Sequence, residues 1–388
     1  MSNAKILLAV TGGIAAYKAI DLASRLNKAG YQVRTVLTDS ARKFVSPVNF
    51  SAITHNSVHT SLWDDADPIV HISLADWADL IVVAPASANT IAKAACGLAN
   101  NLLSSILLAH TKPVLWVPAM NVHMYEHVAT KQNMEILKSR GHHVLEPATG
   151  LLACAYTGKG KYPPNEEILY AIRTYLLYGR DLGGVTAIVS AGASVEAIDP
   201  MRMISNRSSG KMGIALARAL SLRGAMVKLV YGSVNQEIPY YLHDAVQALS
   251  VEEMYDAIVP IAGNFRWIFK CAAVSDYKPA SYSPQKIKKA EDLLLKLERT
   301  ADILADLGRI KQDGQRLIGF AAETENLIEN AKDKLLRKNL DLIVANHLEN
   351  AGKDSNSISL IDKAGMPLAA QGDKFDLAHK IIDHVKTL

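Results

Sequence analysis

Residues 22–33, LASRLNKAGYQV, line up without a gap on residues 216–227, LARALSLRGAMV. Leu22, Ala23, Leu26, Gly30 and Val33 match Leu216, Ala217, Leu220, Gly224 and Val227. In each copy, apolar residues at i and i+4 mark one face of a helix. Each helix ends at a glycine free to take the positive φ of a C-terminal cap, and a strand-forming run follows. An apolar strand ending in glycine precedes each copy: ILLAVTGG at 6–13 and AIVSAG at 187–192. These two β–Gly–α–β openings predict an α/β fold with two doubly wound, Rossmann-like parallel-sheet domains. The glycine-rich, charged stretch YGRDLGG (178–184) suits a linker, which puts the domains at 1–180 and 181–388.

More strands follow as continuous apolar runs, the pattern of strands buried on both faces. They are DLIVVAPA (79–86) and PVLWVPA (113–119), then WIFKCAAV (267–274), RLIGFAAET (316–324) and DLIVANH (341–347). Residues 87–110 read as helix. A chain of 388 residues exceeds one ordinary core. A formal net charge of +4 does not call for nucleic acid, and the run Lys286–Lys289 reads as a solvated face. No apolar run is long enough to span a membrane. The N-terminal AKILLAVTGG reads as a strand and not a signal peptide. Cys96, Cys154 and Cys271 are widely spaced with no CxxC, which points to the cytoplasm and away from disulfides or zinc.

ISNRSSGKMG (204–213) resembles the end of a P-loop, but GxxxxGK[ST] needs glycine at Ser205 and a hydroxyl at Met212. Ser208, Ser209 and Gly210 precede a helix through Met212, Leu216 and Leu220. Its amide groups, with Lys211, favour an anion or nucleotide. An ordinary serine N-cap fits the same residues.

DPMRMISNRSSGKMG (199–213), CAAVSDY (271–277), KIKK (286–289), GFAAET (319–324) and RKNLDLIVAN (337–346) together resemble the phosphopantothenate–cysteine ligase domain. The first half resembles the flavin-dependent phosphopantothenoylcysteine decarboxylases. The fused order is that of the bacterial bifunctional coenzyme A biosynthesis enzymes.

In the first half, Gly12-Gly13 turns strand into helix without a third spaced glycine, which favours a mononucleotide. PASANT (85–90) opens another helix, where Ser87, Asn89 and Thr90 suit either phosphate binding or capping. The resemblance implies that Gly13, Ser87 and Asn89 bind FMN, with Thr38 and Ser40 as further candidates. His71, alone, reads as structural; the family pattern puts its catalytic histidine there, suited to accepting a proton. Asn121, in PAMNVHMY (118–125), reads alone as a turn former and by resemblance as the asparagine that holds the substrate carboxylate. Met120 and Met124 read as packing against substrate or flavin. Cys154 lies in TGLLACAYTGKGKYPP (149–164), whose Gly150, Gly158 and Gly160 read as a mobile flap. A lone cysteine is ordinarily inert; the resemblance implies a proton donor. The implied reaction oxidises the substrate's cysteinyl carbon beside sulfur, loses CO₂ toward that electron sink, and reduces the enethiolate. Ala155 and Lys161 stand where the family has glycine and arginine.

In the second half, joining a carboxylate to an amine needs an activated acyl group, and hence positive charge and Mg²⁺ for a triphosphate. Lys334 and Lys338 read alone as a solvated stripe at i and i+4 of one helix. By resemblance, Asp276, Lys286, Phe320, Lys334 and Lys338 contact CTP, with Cys271 and Ala272 beside the base. Asn206 resembles the asparagine that stabilises the acyl-cytidylate. TADI (Thr300, Ala301, Asp302, Ile303) stands where the family has NPDI, and GASVE (192–196) where it has GPTRE. No metal ligand is identified.

The expected enzyme couples 4′-phosphopantothenate to L-cysteine with CTP, then decarboxylates the product to 4′-phosphopantetheine. The resemblance implies a homo-oligomer of trimeric decarboxylase and dimeric ligase units, a dodecamer, with small molecules and neither nucleic acid nor membrane as partners. The rivals are a flavin prenyltransferase-like enzyme and a non-catalytic regulatory flavoprotein of the same fold.

Overall fold

The computed structural model describes residues 3–63, 67–288, 293–323, 326–347 and 353–388. The repeated glycine closes its helix in the same way twice. The helix Lys18–Lys28 is followed by Gly30 at φ 85°, whose N–H donates to the Asn27 carbonyl while that of Tyr31 donates to Leu26. The helix Lys211–Leu222 is followed by Gly224 at φ 97°, and the N–H groups of Gly224 and Ala225 reach Ser221 and Leu220. Both are Schellman caps, which glycine enters without a Cβ clash.

The chain divides into two compact units, Met1–Leu177 and Tyr178–Leu388. The first sheet is built from β1 (Lys5–Val10), β2 (Gln32–Leu37), β3 (Val58–His59), β4 (Leu80–Ala86), β5 (Val114–Pro118) and β6 (His143–Val144). All pair in parallel, in the order β3-β2-β1-β4-β5-β6. A separate hairpin follows, β7 (Ala148–Leu151) with β8 (Thr157–Lys161).

The second unit opens with β9 (Thr186–Ala191) and a small hairpin, β10 (Val195–Ala197) with β11 (Met203–Ser205). Then come β12 (Met226–Tyr231), β13 (Asp244–Gln247), β14 (Trp267–Lys270) and a second small hairpin, β15 (Tyr277–Pro279) with β16 (Leu297–Arg299). The sheet is completed by β17 (Arg316–Glu323), β18 (Leu342–His347), β19 (Ser355–Asp362) and β20 (Leu368–Asp373). Its order is β13-β12-β9-β14-β17-β18-β19-β20, parallel through β18 and antiparallel beyond. In order of appearance, the six parallel strands of each sheet follow one plan. The first strand lies at the centre, the next two spread to one side and the following three to the other.

The apolar runs are the sheet cores. β4 is buried along its whole length, and Leu7, Ile81, Val83 and Trp116 join one cluster with the helices that cover them. Ile188, Ile268, Leu317 and Ile343 do the same in the second unit. Arg223 is fully buried there, yet its charge is matched. It donates two hydrogen bonds to Asp181, at 2.8 and 2.7 Å, and pairs with Asp383 at 2.7 Å. The stretch read as a linker is thereby tied to the terminal helix of the second unit.

Two sequence expectations are corrected. Residues 87–110 form two helices, Ala88–Cys96 and Leu102–Ala109. Gly97 ends the first at φ 71°, and Asn101 with Ser104 makes a capping box that starts the second. The strand expected over 267–274 stops at Lys270. Beyond it the N–H of Ala272 donates to Ser190 Oγ at 3.1 Å and that of Ala273 to the Gly192 carbonyl at 2.8 Å.

Gly213 lets the helix Lys211–Leu222 lie directly on β9. A Cβ there would come within 2.6 Å of Ala191 Cβ and 2.9 Å of the Ser190 carbonyl oxygen. Gly213→Ala should destabilise the second unit by about 1–3 kcal/mol through overpacking. Hydrogen exchange should show protection falling across 178–388 and unchanged across 1–177.

Candidate active sites

In open parallel sheets, ligands bind beyond the carboxyl ends of the strands, where the chain switches side. In the first unit that point lies between β1 and β4. Thr11 bridges it: its hydroxyl donates to the Pro85 carbonyl at 2.7 Å and accepts from the Ser87 N–H at 2.9 Å. Sequence reading passed over Thr11, although a hydroxyl directly before Gly12-Gly13 was the available signal. Gly12 packs on the loop after β2, since a Cβ there would sit 2.4 Å from Ser40 Cβ. Gly13 faces open space, with no atom within 4 Å of where its Cβ would be. Ser87 caps the helix Ala88–Cys96, its Oγ accepting from the Thr90 N–H at 3.4 Å. Asn89 is exposed in that helix's first turn. Thr38 Oγ1 accepts from the Ala41 N–H at 3.2 Å. Gly13, Ser40, Ser87 and Asn89 thus share the carboxyl edge. An open glycine turn beside neutral donors at a helix start fits a mononucleotide phosphate.

The hairpin β7–β8 lies over the loop after β5. A Cβ on Gly158 would come within 2.6 Å of Val122 Cγ2, and one on Gly160 within 2.3 Å of the Met120 carbonyl oxygen. The Met120 N–H donates to the Gly160 carbonyl at 3.0 Å. These two glycines, expected to confer mobility, serve close approach. The result is that Asn121 Nδ2 donates to Cys154 Sγ at 3.1 Å. Asn121 Oδ1 meanwhile accepts from the His123 N–H at 2.8 Å.

Cys154 is exposed, which removes the inert-core reading. The Tyr156 N–H and then the Asn121 amide stabilise its thiolate and lower the thiol's pKa. Ala155 sits at φ 63°, a left-handed conformation that costs a residue with a Cβ about 1–2 kcal/mol. A glycine at this position would not carry that cost. His71 lies half-buried in the first turn of the helix Val70–Trp77, which runs down into β4 and so begins at the carboxyl edge. No hydrogen bond joins His71 to Asn121 or Cys154 among the described residues. Met120 packs against the core and Met124 is exposed. Asn121→Ala should raise the Cys154 pKa toward that of an ordinary thiol. Site-resolved alkylation should be slower at neutral pH, with its midpoint moved upward.

In the second unit the switch point lies between β9 and β14. The N-cap of the helix Lys211–Leu222 is Gly210 at φ 74°, not a serine, and no side chain caps the helix. Lys211 pairs with Asp354 at 2.6 Å, so its charge is already engaged. Residues 207–213 line a cavity of about 210 Å³ together with Cys271 and Ala273. Asn206 reaches this edge, donating from Nδ2 to the Ala273 carbonyl at 3.2 Å.

A larger cavity, about 590 Å³, is lined by Ala272, Asp276, residues 300–303, Phe320, Lys334 and Lys338. Ala272 and Phe320 border both cavities. The Thr300 hydroxyl donates to the Ser275 carbonyl at 2.6 Å. Lys338 is the C-cap of the helix Leu327–Arg337 and not within it. It pairs with Asp302, whose carboxyl, despite burial that opposes this, is held below its usual range by that ammonium. Lys334 donates to the Phe320 carbonyl at 3.2 Å. Lys286 is exposed and lines neither cavity. Lys289 and Thr324 of the quoted motifs lie outside the described residues. Among the described residues no cluster of side chains has metal-ligand geometry, and no helix is long and apolar enough to cross a membrane.

A thiol–amide pair at one sheet edge and a cation-lined cavity at the other define a two-site α/β enzyme. Residues 1–177 match the Flavoprotein family and 182–388 the DNA/pantothenate metabolism flavoprotein C-terminal domain family. The coenzyme A biosynthesis bifunctional protein CoaBC of Haemophilus influenzae is 41% identical over 391 residues, 99% of this chain and 98% of its own. That of Bacillus subtilis is 41% identical over 401 residues, 100% of this chain and 98% of its own. A crystal structure of the C-terminal domain of such a protein is 36% identical and covers 54% of this chain and 97% of its own, with a TM-score of 0.47. The chain belongs to the bifunctional coenzyme A biosynthesis proteins. It is a flavoprotein decarboxylase joined to a ligase, and neither rival reading is favoured.

Proposed function

We propose that residues 1–180 use FMN to decarboxylate 4′-phosphopantothenoylcysteine, and that residues 181–388 make that compound from 4′-phosphopantothenate and L-cysteine with CTP and Mg²⁺. The observation that carries the first assignment is the Asn121–Cys154 hydrogen bond at an exposed thiol. Gly13, Ser40, Ser87 and Asn89, with Thr38, would hold FMN, which when bound would supply a two-electron acceptor and donor. Asn121 offers its amide N–H to the substrate carboxylate, which competes with Cys154 for it. His71 takes the proton lost from the substrate. Cys154, acidified by its neighbours, returns a proton at the end.

In the ligase half, the cations around the larger cavity hold the triphosphate, Phe320 and the backbone near Ala272 flank the base, and Asn206 steadies the acyl-cytidylate. Phe320 and Ala272, at the junction of the two cavities, put nucleotide and acyl substrate side by side. We further propose that the chain works in the cytoplasm as a homo-oligomer with trimeric decarboxylase units. Ile14, Tyr17, Ile72, Met124, Leu151 and Tyr156 support this, being exposed apolar residues close in sequence to the first site.

Mass spectrometry of the purified chain with 4′-phosphopantothenate, L-cysteine, Mg²⁺ and CTP should detect 4′-phosphopantetheine. His71→Asn should stop at phosphopantothenoylcysteine, with CO₂ release lost and ligation intact. Normal decarboxylation by that variant would remove His71 from the mechanism. Asn206→Asp should form neither product.

A further inference from the structure

Lys270 ends β14 at the floor of the larger cavity, and only 7% of it is exposed. Buried ammonium groups are ordinarily paired with an anion. Among the described residues, Lys270 Nζ donates only to the neutral Ala272 carbonyl, at 3.5 Å, the limit of a hydrogen bond. The same cavity carries Arg299, Lys334, Arg337 and Lys338. Against these cations stand Asp276 and Asp302, and Asp302 is already engaged by Lys338. Arg337 is paired with Asp333 at 3.7 Å, whereas Lys270, the most buried of these cations, has no ion pair among the described residues.

We propose that Lys270 is a further binding residue of the ligase site, the floor cation that pairs with the phosphate chain of a nucleoside triphosphate. The inference rests on the nucleotide reading of this cavity and adds to it a residue that no motif singled out. Burial pulls the Lys270 pKa down to about 7, reinforced by Lys334 and Lys338 and opposed only in part by Cys271 and Asp302. Cys271 does not balance the charge, because burial pushes its thiol up to about 12 and leaves it neutral. A triphosphate supplies the missing anion and raises the Lys270 pKa, so Lys270 takes up a proton on binding. Its contribution to affinity therefore grows as pH falls toward 7.

Isothermal titration of the full chain with CTP and Mg²⁺ at pH 7.5, in two buffers of different ionisation enthalpy, tests this. The wild type should take up more protons per nucleotide than Lys270→Met, which should also bind CTP about tenfold more weakly, the loss of roughly one charge-assisted hydrogen bond. Lys270→Arg, permanently charged, should keep binding and lose the extra proton uptake. This second variant serves if the methionine variant fails to fold. Tight binding by the wild type with unchanged affinity and proton uptake in the variants would overturn the role of Lys270 alone. Failure of the wild type to bind CTP would overturn it together with the nucleotide reading.

Discussion

In a parallel sheet each strand delivers its carboxyl end to the same edge, and the chain must cross the sheet by a covered connection before starting the next strand. Both units of this protein place their first strand at the centre and build outward on either side. The loops after β1 and β4, and after β9 and β14, therefore leave in opposite directions and part. Most of the candidate residues lie in or beside these two partings, Lys286 excepted. Gly13, Ser87, Asn121 and the thiol of Cys154 belong to the first edge, and Asn206, Cys271, Phe320 and Lys338 to the second.

Close approach is what turns an edge into a site. Gly158 and Gly160 let a hairpin settle against the Met120 carbonyl and Val122, and this brings Cys154 within hydrogen-bonding distance of Asn121. Gly213 seats its helix on Ala191, beside the loop from which Asn206 reaches Ala273. Substituting any of these glycines would move a whole segment, because the conflicting atoms belong to backbone or short branched side chains with no freedom to yield. The two units also differ in electrostatics. The first offers neutral donors and one acidified thiol. The second gathers Lys270, Arg299, Lys334, Arg337 and Lys338 around its larger cavity.

Much of this was legible in the residues. The repeat of Leu22–Val33 in Leu216–Val227 announced both sheets and both positive-φ glycines, because period and capping are local properties. The continuous apolar runs foretold central strands. The single helix expected over 87–110 was wrong, since apolar periodicity continues across Gly97 while the backbone does not. The reading of Lys338 as helical missed by one residue, and the end of β14 by several, because helix and strand ends are set by tertiary hydrogen bonds such as those of Ser190 and Gly192.

The sequence by itself determined the fold class, the repeated strand–glycine–helix plan and the family motifs that named most candidate residues, because each depends on neighbours along the chain. Tertiary structure alone decided which of those residues meet. It joined Asn121 to Cys154 across 33 positions, left Lys286 outside both cavities, and committed Lys211 to Asp354. It also put Lys270, one residue of an ordinary strand pattern, at the bottom of a cavity crowded with like charge. Burial and electrostatic potential are sums over atoms brought from distant parts of the chain, so no local pattern records them.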